Sequence, residues 1–191
     1  IPYRKCGKLI VATDGSEVPE LERIYQQALK NKVPIKRLTS QEAQKLEPAV
    51  NAQAALFSPE TGICDVHMIM KNFAADIEGS NGVISYANKV TNIKFTGQEY
   101  EVFLKDGSVF CTEYLINAAG LGAVQISAML NLTPETLYPC KGSYFYYSGP
   151  HQISHLVYPI PHQNLSGLGV HATLDLGGRL KFGPDTEYIE N

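Results

Sequence analysis

The apolar positions of this chain change period several times, and each change marks an element. Residues 6–13 form a near-continuous apolar run, as a buried strand would. Asp14-Gly15-Ser16 turns the chain, and Val18, Leu21, Ile24, Tyr25, Ala28 and Leu29 then fall at helical spacing, predicting a helix over 17–30. Pro19 is tolerated in its first turn, and Asn31 suits its C-terminal end. Thr39 and Glu42 have capping-box spacing, which predicts a short helix over 40–46, discouraged from continuing by Pro48. A short strand at 54–57 and a turn at Pro59-Glu60-Thr61-Gly62 follow. Asp65 can then cap a helix over 66–78. The stripe Val66, Ile69, Met70, Phe73, Ala74 and Ile77 is expected to pack inward, with Met68 and Met70 in or near a core.

After a break at 79–82 the period drops to two. Residues 90–95 and 100–104 read as strands joined by a turn at 96–98, and Asp106-Gly107 is a hairpin turn that needs positive φ. A third strand is predicted over 109–118, running into Ala118-Ala119-Gly120-Leu121-Gly122 ahead of a helical pattern over 123–130. Gly120 and Gly122 lack Cβ, so the backbone can turn sharply there and a ligand can approach it. A helix starting after such a turn would aim free N–H groups at an anion. Close packing alone would also explain the small residues. From 138 onward the pattern is strand-rich, over 138–147, 155–159, 167–173 and 180–183, with a hairpin turn at 175–178. The expected class is α+β: an antiparallel or mixed sheet with helices, plus a β-meander.

Composition narrows the functions. A chain of 191 residues can bury a core as one or two domains. Net charge of −3 without a Lys/Arg cluster argues against a nucleic-acid partner. No apolar run approaches the roughly 20 residues of a membrane span, and no signal-peptide pattern opens the chain. A cytoplasmic location is expected. Peripheral membrane attachment, or a mitochondrial location in a eukaryote, are the alternatives. Cys6, Cys64, Cys111 and Cys140 are widely spaced and read as free thiols. Cys64 and His67 stand three apart, but no second pair completes a metal site, so no metal is expected. Ser143 and Ser166 lack the strained elbow and the ordered His and Asp of a hydrolase. His151, His155 and His162 fall among Pro and Gln in expected loops.

His171 lies in Gly-Val-His-Ala-Thr, within an apolar strand before a hairpin. A neutral imidazole there could take a proton from a hydroxyl, although a lone strand His is more often structural. Lys141, in Cys-Lys-Gly-Ser-Tyr, could hold a carboxylate or simply face solvent from an edge strand. Tyr144, Phe145, Tyr146 and Tyr147 must alternate across a sheet, so one face could line a pocket.

Six motifs occur in order along almost the whole chain. They are Cys6-Gly7-Lys8-Leu9-Ile10-Val11-Ala12-Thr13, Phe57-Ser58-Pro59-Glu60-Thr61-Gly62-Ile63-Cys64-Asp65, Ile116-Asn117-Ala118-Ala119-Gly120, Pro139-Cys140-Lys141-Gly142-Ser143-Tyr144, Tyr158-Pro159-Ile160-Pro161 and Leu168-Gly169-Val170-His171-Ala172-Thr173. This series resembles the D-amino-acid-oxidase-like superfamily of FAD-dependent oxidoreductases, and within it the L-2-hydroxyglutarate dehydrogenase/oxidase group. The resemblance implies oxidation of a small 2-hydroxy acid, L-2-hydroxyglutarate or a close relative, by hydride transfer to FAD. It implies His171 as the base facing the flavin. It implies Lys141, Tyr144 and Tyr158 as substrate residues, with Lys141 where the family usually has Arg, a difference in fork geometry. It implies Val90, Ala118, Ala119, Gly120 and Leu121 against the FAD, Val90 standing where the family's meander backbone holds the adenine. It places residues 1–82 and 133–191 in a substrate domain and 83–132 in part of an FAD-binding domain.

No Gly-x-Gly-x-x-Gly follows the first strand, although the family carries that pyrophosphate-binding turn near its N-terminus. The chain is therefore expected to be an internal fragment, inactive alone and binding FAD weakly or not at all. Rival readings are an amino-acid-oxidising or glycerol-3-phosphate-oxidising relative, a flavin-free remnant that binds a partner or small acid, and, distantly, a hydrolase. The electron acceptor, the oligomeric state and any membrane association have no signature in the pattern.

Overall fold

A computed structural model describes residues 1–132, 136–161 and 169–189. The elements run β1 (Tyr3–Arg4), β2 (Lys8–Ala12), α1 (Val18–Lys30), β3 (Lys36–Thr39), α2 (Ser40–Leu46), β4 (Ala54–Ser58), β5 (Ile63–Cys64) and α3 (Val66–Gly79). They continue with β6 (Val90–Phe95), β7 (Tyr100–Leu104), β8 (Val109–Thr112) and α4 (Ala123–Ala128), then β9 (Cys140–Tyr146), β10 (Leu156–Pro159), β11 (His171–Leu174) and β12 (Leu180–Tyr188). The mixture of helices and sheets agrees with the expected class. The chain divides into two compact units, Ile1–Phe73 with Lys141–Glu187, and Ala74–Cys140 with Tyr188–Asn191. The divisions fall after 73 and 140, against the expected 82 and 132.

The first unit holds a seven-stranded sheet in the order β3-β4-β2-β10-β11-β12-β9. β2 pairs antiparallel with β4 and parallel with β10, from Leu156↔Lys8 to Pro159↔Val11. Alternation along β2 explains its unbroken apolar run. Leu9 and Val11 pack on one face with Ala43 of α2 and Ala55, while Ala12 packs on the other with Leu21 of α1, Leu56 and Ile160. A strand covered on both sides has no polar face to show. The α2 capping box forms as its spacing predicts: Thr39 Oγ1 accepts from the Glu42 N–H, and the Glu42 carboxylate accepts from the Thr39 N–H at 2.8 Å. Asp65 likewise caps α3, accepting from the Met68 N–H at 3.1 Å.

Several expectations need correction. β3, β1 and β5 are strands that periodicity does not signal, being short or polar. β12 continues to Tyr188 instead of stopping at 183. Leu168, Ser166 and His162 lie outside the described residues. α3 exists with nearly the expected ends, but none of its residues is buried, and Met70 and Phe73 are more than 60% exposed. The stripe shows that the helix has an apolar face, not that anything described covers it.

The second unit contains the antiparallel meander β6-β7-β8, with β6 and β7 at their expected bounds. β8 is shorter than predicted, ending at Thr112 rather than 118. Its partner is the cause: Thr112 lies opposite Tyr100, the first residue of β7, so no strand remains to pair with. Thr112 Oγ1 instead donates to the Tyr114 carbonyl at 2.9 Å, turning the chain.

One buried carboxylate joins distant parts of the first unit. Glu47, just after α2, is fully buried. Its Oε1 accepts from the backbone N–H groups of Ser154 and His155 at 2.8 and 2.7 Å, from Ser154 Oγ at 2.7 Å, and from His155 Nδ1 at 2.6 Å. These residues immediately precede β10, so Glu47 fixes where the parallel strand begins. Removing one member of such a buried cluster typically costs about 3–5 kcal/mol, because its partners stay buried and unmade. Glu47→Ala should therefore lower stability by about that amount in urea denaturation, whereas Glu47→Gln, which keeps an acceptor oxygen, should lose less. Equal stability of wild type and Glu47→Ala would show that the cluster anchors nothing.

Candidate active site

Register assembles the site in the first unit. Val157↔Ala172 places Tyr158 of β10 opposite His171 of β11, and His171 lies opposite Gly183 of β12. Ile10 of β2 lies opposite Tyr158 on the other side. These positions form one row across the sheet. Tyr144 of β9 closes the row, its ring lying where a Cβ on Gly183 would come within 2.7 Å of it. The same Cβ would come within 2.6 Å of the Ser143 carbonyl, and Gly183 has φ +151. Glycine at this position therefore lets the Tyr144 ring reach across β12 toward His171. Gly183 is a site residue that the sequence reading missed; a lone glycine at a strand end was its only signal.

His171 is only 5% exposed. Its ring stacks on Tyr158, with centroids 4.0 Å apart and planes 14° from parallel. Its Nδ1 lies 3.0 Å from the Gly169 carbonyl, presented by a positive-φ glycine at φ +71. A carbonyl only accepts, so in the neutral ring Nδ1 carries the proton and Nε2 keeps its lone pair. Nε2 faces the Tyr144 hydroxyl at 3.4 Å.

Two cations complete the group. Lys8 Nζ lies 5.1 Å from the Tyr158 ring centroid, and Lys181 Nζ lies 5.0 Å from that of Tyr144. Strand pairing gives both the same sheet face as His171: Lys8 is two residues from Ile10, and Lys181 lies opposite Thr173, two residues from His171. Among the described residues neither has a carboxylate within ion-pair distance. Burial is the main force lowering the His171 pKa below its ordinary value; the Lys181 and Lys8 charges add to it, against the Gly169 hydrogen bond. Burial, and then Tyr144, raise the Tyr158 phenol above its usual value. The site thus places an imidazole disfavoured from protonation beside two ammonium groups without a carboxylate partner among the described residues, an arrangement able to deprotonate a hydroxyl on an anionic molecule.

The sequence-based candidates divide. His171, Tyr144 and Tyr158 come together. Lys141 is not among the groups around His171. It is three residues from Tyr144, so alternation turns it to the other strand face, and its Nζ lies 4.0 Å from Glu187 at the surface. Lys8 stands within a quoted motif but was not singled out, because a Lys opening a strand carries no chemical signature.

Val90 and Ala118 to Leu121 lie in the second unit. Val90 opens β6 and is half-buried. Asn117 ties the Ala-Ala-Gly turn to α4: its Nδ2 donates to the Ala123 carbonyl at 2.8 Å and to Ser127 Oγ at 3.1 Å. Gly120 has φ +56, and a Cβ placed on it would meet nothing within 4 Å. Leu121 is 72% exposed. α4 is only six residues long and follows a 3-10 turn, so the anion-directed helix end expected from the sequence has little dipole behind it.

The chain belongs to the FAD dependent oxidoreductase (DAO) family, which it matches over residues 1–191. It is 33% identical to mitochondrial L-2-hydroxyglutarate dehydrogenase of Arabidopsis thaliana, an alignment covering all of this chain and 47% of that protein. It is 31% identical to the human mitochondrial L-2-hydroxyglutarate dehydrogenase, over 97% of this chain and 43% of that one. The chain thus spans about half the length of the curated relatives it matches. Among solved structures it resembles dithionite-reduced L-alpha-glycerophosphate oxidase from Mycoplasma pneumoniae with FAD bound. The TM-score is 0.89 at 26% identity, covering all of this chain and 52% of that one. Glycine oxidase from Geobacillus kaustophilus shares the fold, with TM-score 0.82 at 22% identity, over 100% of this chain and 50% of that one. No helix among the described residues is long and apolar enough to cross a membrane.

The second unit offers one feature compatible with the family's FAD. Asn117 ties the Ala-Ala-Gly turn to α4, and the open space over Gly120 leaves its backbone approachable.

A titration tests the electrostatics of the first unit. His171 should titrate below 6.5 in the folded protein, followed by NMR of its ring protons. Replacing Lys181 with Met should raise that midpoint. The lowered pKa also sets a sign for stability: the contribution of neutral His171 is complete above about 6.5 and is lost as pH falls toward the folded value. A midpoint above 6.5, or one unmoved by Lys181→Met, would contradict the arrangement.

Proposed function

We propose that the whole protein oxidises a small 2-hydroxy acid, L-2-hydroxyglutarate or a close relative, with FAD. The observation that carries this reading is His171: neutral, with its tautomer set by Gly169, and flanked by the ammonium groups of Lys8 and Lys181, which no carboxylate among the described residues pairs. The similarity to L-2-hydroxyglutarate dehydrogenases supports the same substrate. FAD, when bound, supplies the acceptor for the α-carbon hydride. Val90 and Ala118 to Leu121 would hold it. His171 is the final acceptor of the hydroxyl proton, and its low basicity keeps it ready to receive one near neutral pH. Lys8 and Lys181 hold the substrate's carboxylates as point charges, taking the part expected of Lys141, while the rings of Tyr144 and Tyr158 wall the site.

A second reading has one observation in its favour. The structural similarity to the glycerophosphate oxidase makes a phosphorylated carbinol an alternative anion for the same lysines.

Anaerobic stopped-flow spectroscopy of the full-length, FAD-loaded protein separates the two. L-2-hydroxyglutarate should bleach the flavin absorbance, and glycerol 3-phosphate should not. His171→Ala should lower the limiting rate about 10²–10⁴-fold, the usual cost of losing a general base. Lys181→Met should act mainly on apparent affinity, because a carboxylate contact is made in both ground and transition states. Bleaching by glycerol 3-phosphate alone would overturn the 2-hydroxy-acid reading, and a wild-type limiting rate in His171→Ala would make that residue structural.

A further inference from the structure

We propose that the Tyr144 hydroxyl is the group that meets the substrate's hydroxyl, and that His171 stores the proton behind it. The inference deepens the carbinol-oxidising reading and rests on it. The geometry leaves His171 little direct access. The imidazole is 5% exposed, one ring face is covered by Tyr158 at 4.0 Å, and Nδ1 is committed to the Gly169 carbonyl. Its remaining polar atom, Nε2, points at the Tyr144 hydroxyl. Tyr144 itself is 41% exposed, so the side chain that meets Nε2 is also open to solvent.

A phenol can do both parts of this work. Its O–H donates to Nε2 while its oxygen lone pairs accept from a second hydroxyl. The 3.4 Å separation is long for an O–H···N bond, and such contacts often tighten when a substrate closes the site. In the step, the substrate O–H bond breaks and its proton passes to Tyr144 Oη. The proton already on Oη passes to Nε2, leaving a neutral tyrosine and an imidazolium. FAD, when bound, would take the electron pair of the carbinol C–H bond as hydride, and the carbinol carbon would become a carbonyl. Atoms and charge balance without a further reagent. Gly183 has its own part in this: without it, Tyr144 could not lie over β12 at all. Lys181, 5.0 Å from the Tyr144 centroid, leaves the relay through the tyrosine rather than competing for its proton, since an ammonium has no lone pair to accept one.

Tyr144→Phe keeps the ring and its packing and removes only the hydroxyl. In the full-length, FAD-loaded protein, with whichever carbinol bleaches the flavin, Tyr144→Phe should lower the limiting rate of reduction about 10²–10⁴-fold, as for loss of an acid–base group. Apparent substrate affinity should change far less. The Tyr144→Phe/His171→Ala double variant should be no slower than the worse single variant, since both break one path. A separate readout needs no turnover. The ¹⁵N shift of His171 Nε2 should show an accepted hydrogen bond that Tyr144→Phe abolishes. A near-wild-type limiting rate in Tyr144→Phe with a slow His171→Ala would overturn the relay while leaving the carbinol reading standing. An Nε2 shift that is unchanged in Tyr144→Phe would also overturn it. A wild type that oxidises no carbinol would remove the reading and the relay together.

Discussion

The parallel pairing of β2 with β10 is the constraint on which the first unit depends. It joins the first strand of the sheet to residues about 150 positions later, across the whole meander unit. Parallel neighbours cannot be made by a hairpin, so register along this seam must be set by packing and by specific hydrogen bonds. Two devices do so. The double-faced core around Leu9, Val11 and Ala12 accepts β2 in only one register, since a slip of one residue would exchange its two apolar faces. Glu47 then binds the backbone just ahead of β10 and fixes where that strand starts.

The site follows from that register. Lys8 lies on one side of the seam and Tyr158 on the other, and pairing onward through β11 and β12 brings His171 and Lys181 to the same face. A buried imidazole beside two ammonium groups costs least when neutral. Neutrality is also what a proton acceptor requires, so the electrostatics that tolerate His171 in this place suit the base role proposed for it. The glycines at 169 and 183 complete the arrangement from opposite sides. One turns a carbonyl onto Nδ1; the other clears the path of Tyr144 to Nε2.

Much of the first unit was legible in the sequence because its signals are local. The capping box at Thr39 and Glu42, the Asp65 cap, and the unbroken apolar run of β2 each name their own structure. The ends of β6 and β7 were legible for the same reason. What was not legible depends on partners. β8 stops where β7 runs out, which only the pairing reveals. The stripe on α3 gave its helix but not its cover. In the site, His171 and the two tyrosines stood in recognisable motifs. Lys8, Lys181 and Gly183 did not announce themselves, because their roles come from the cross-strand row rather than from their neighbours in sequence. Lys141 illustrates the converse: a motif position suggests a role, yet three residues along a strand change its face.

The central claim is that this face of the seven-stranded sheet is where an anionic carbinol is deprotonated. A crystal structure of the full-length, FAD-loaded protein with 2-oxoglutarate, the expected product, tests it most directly. The account predicts the ligand over the row from Tyr158 to Tyr144, with its carboxylates near Lys8 and Lys181 Nζ and its ketone oxygen within hydrogen-bond distance of Tyr144 Oη. A ligand bound against another surface, with Lys8 and Lys181 left in solvent, would contradict it.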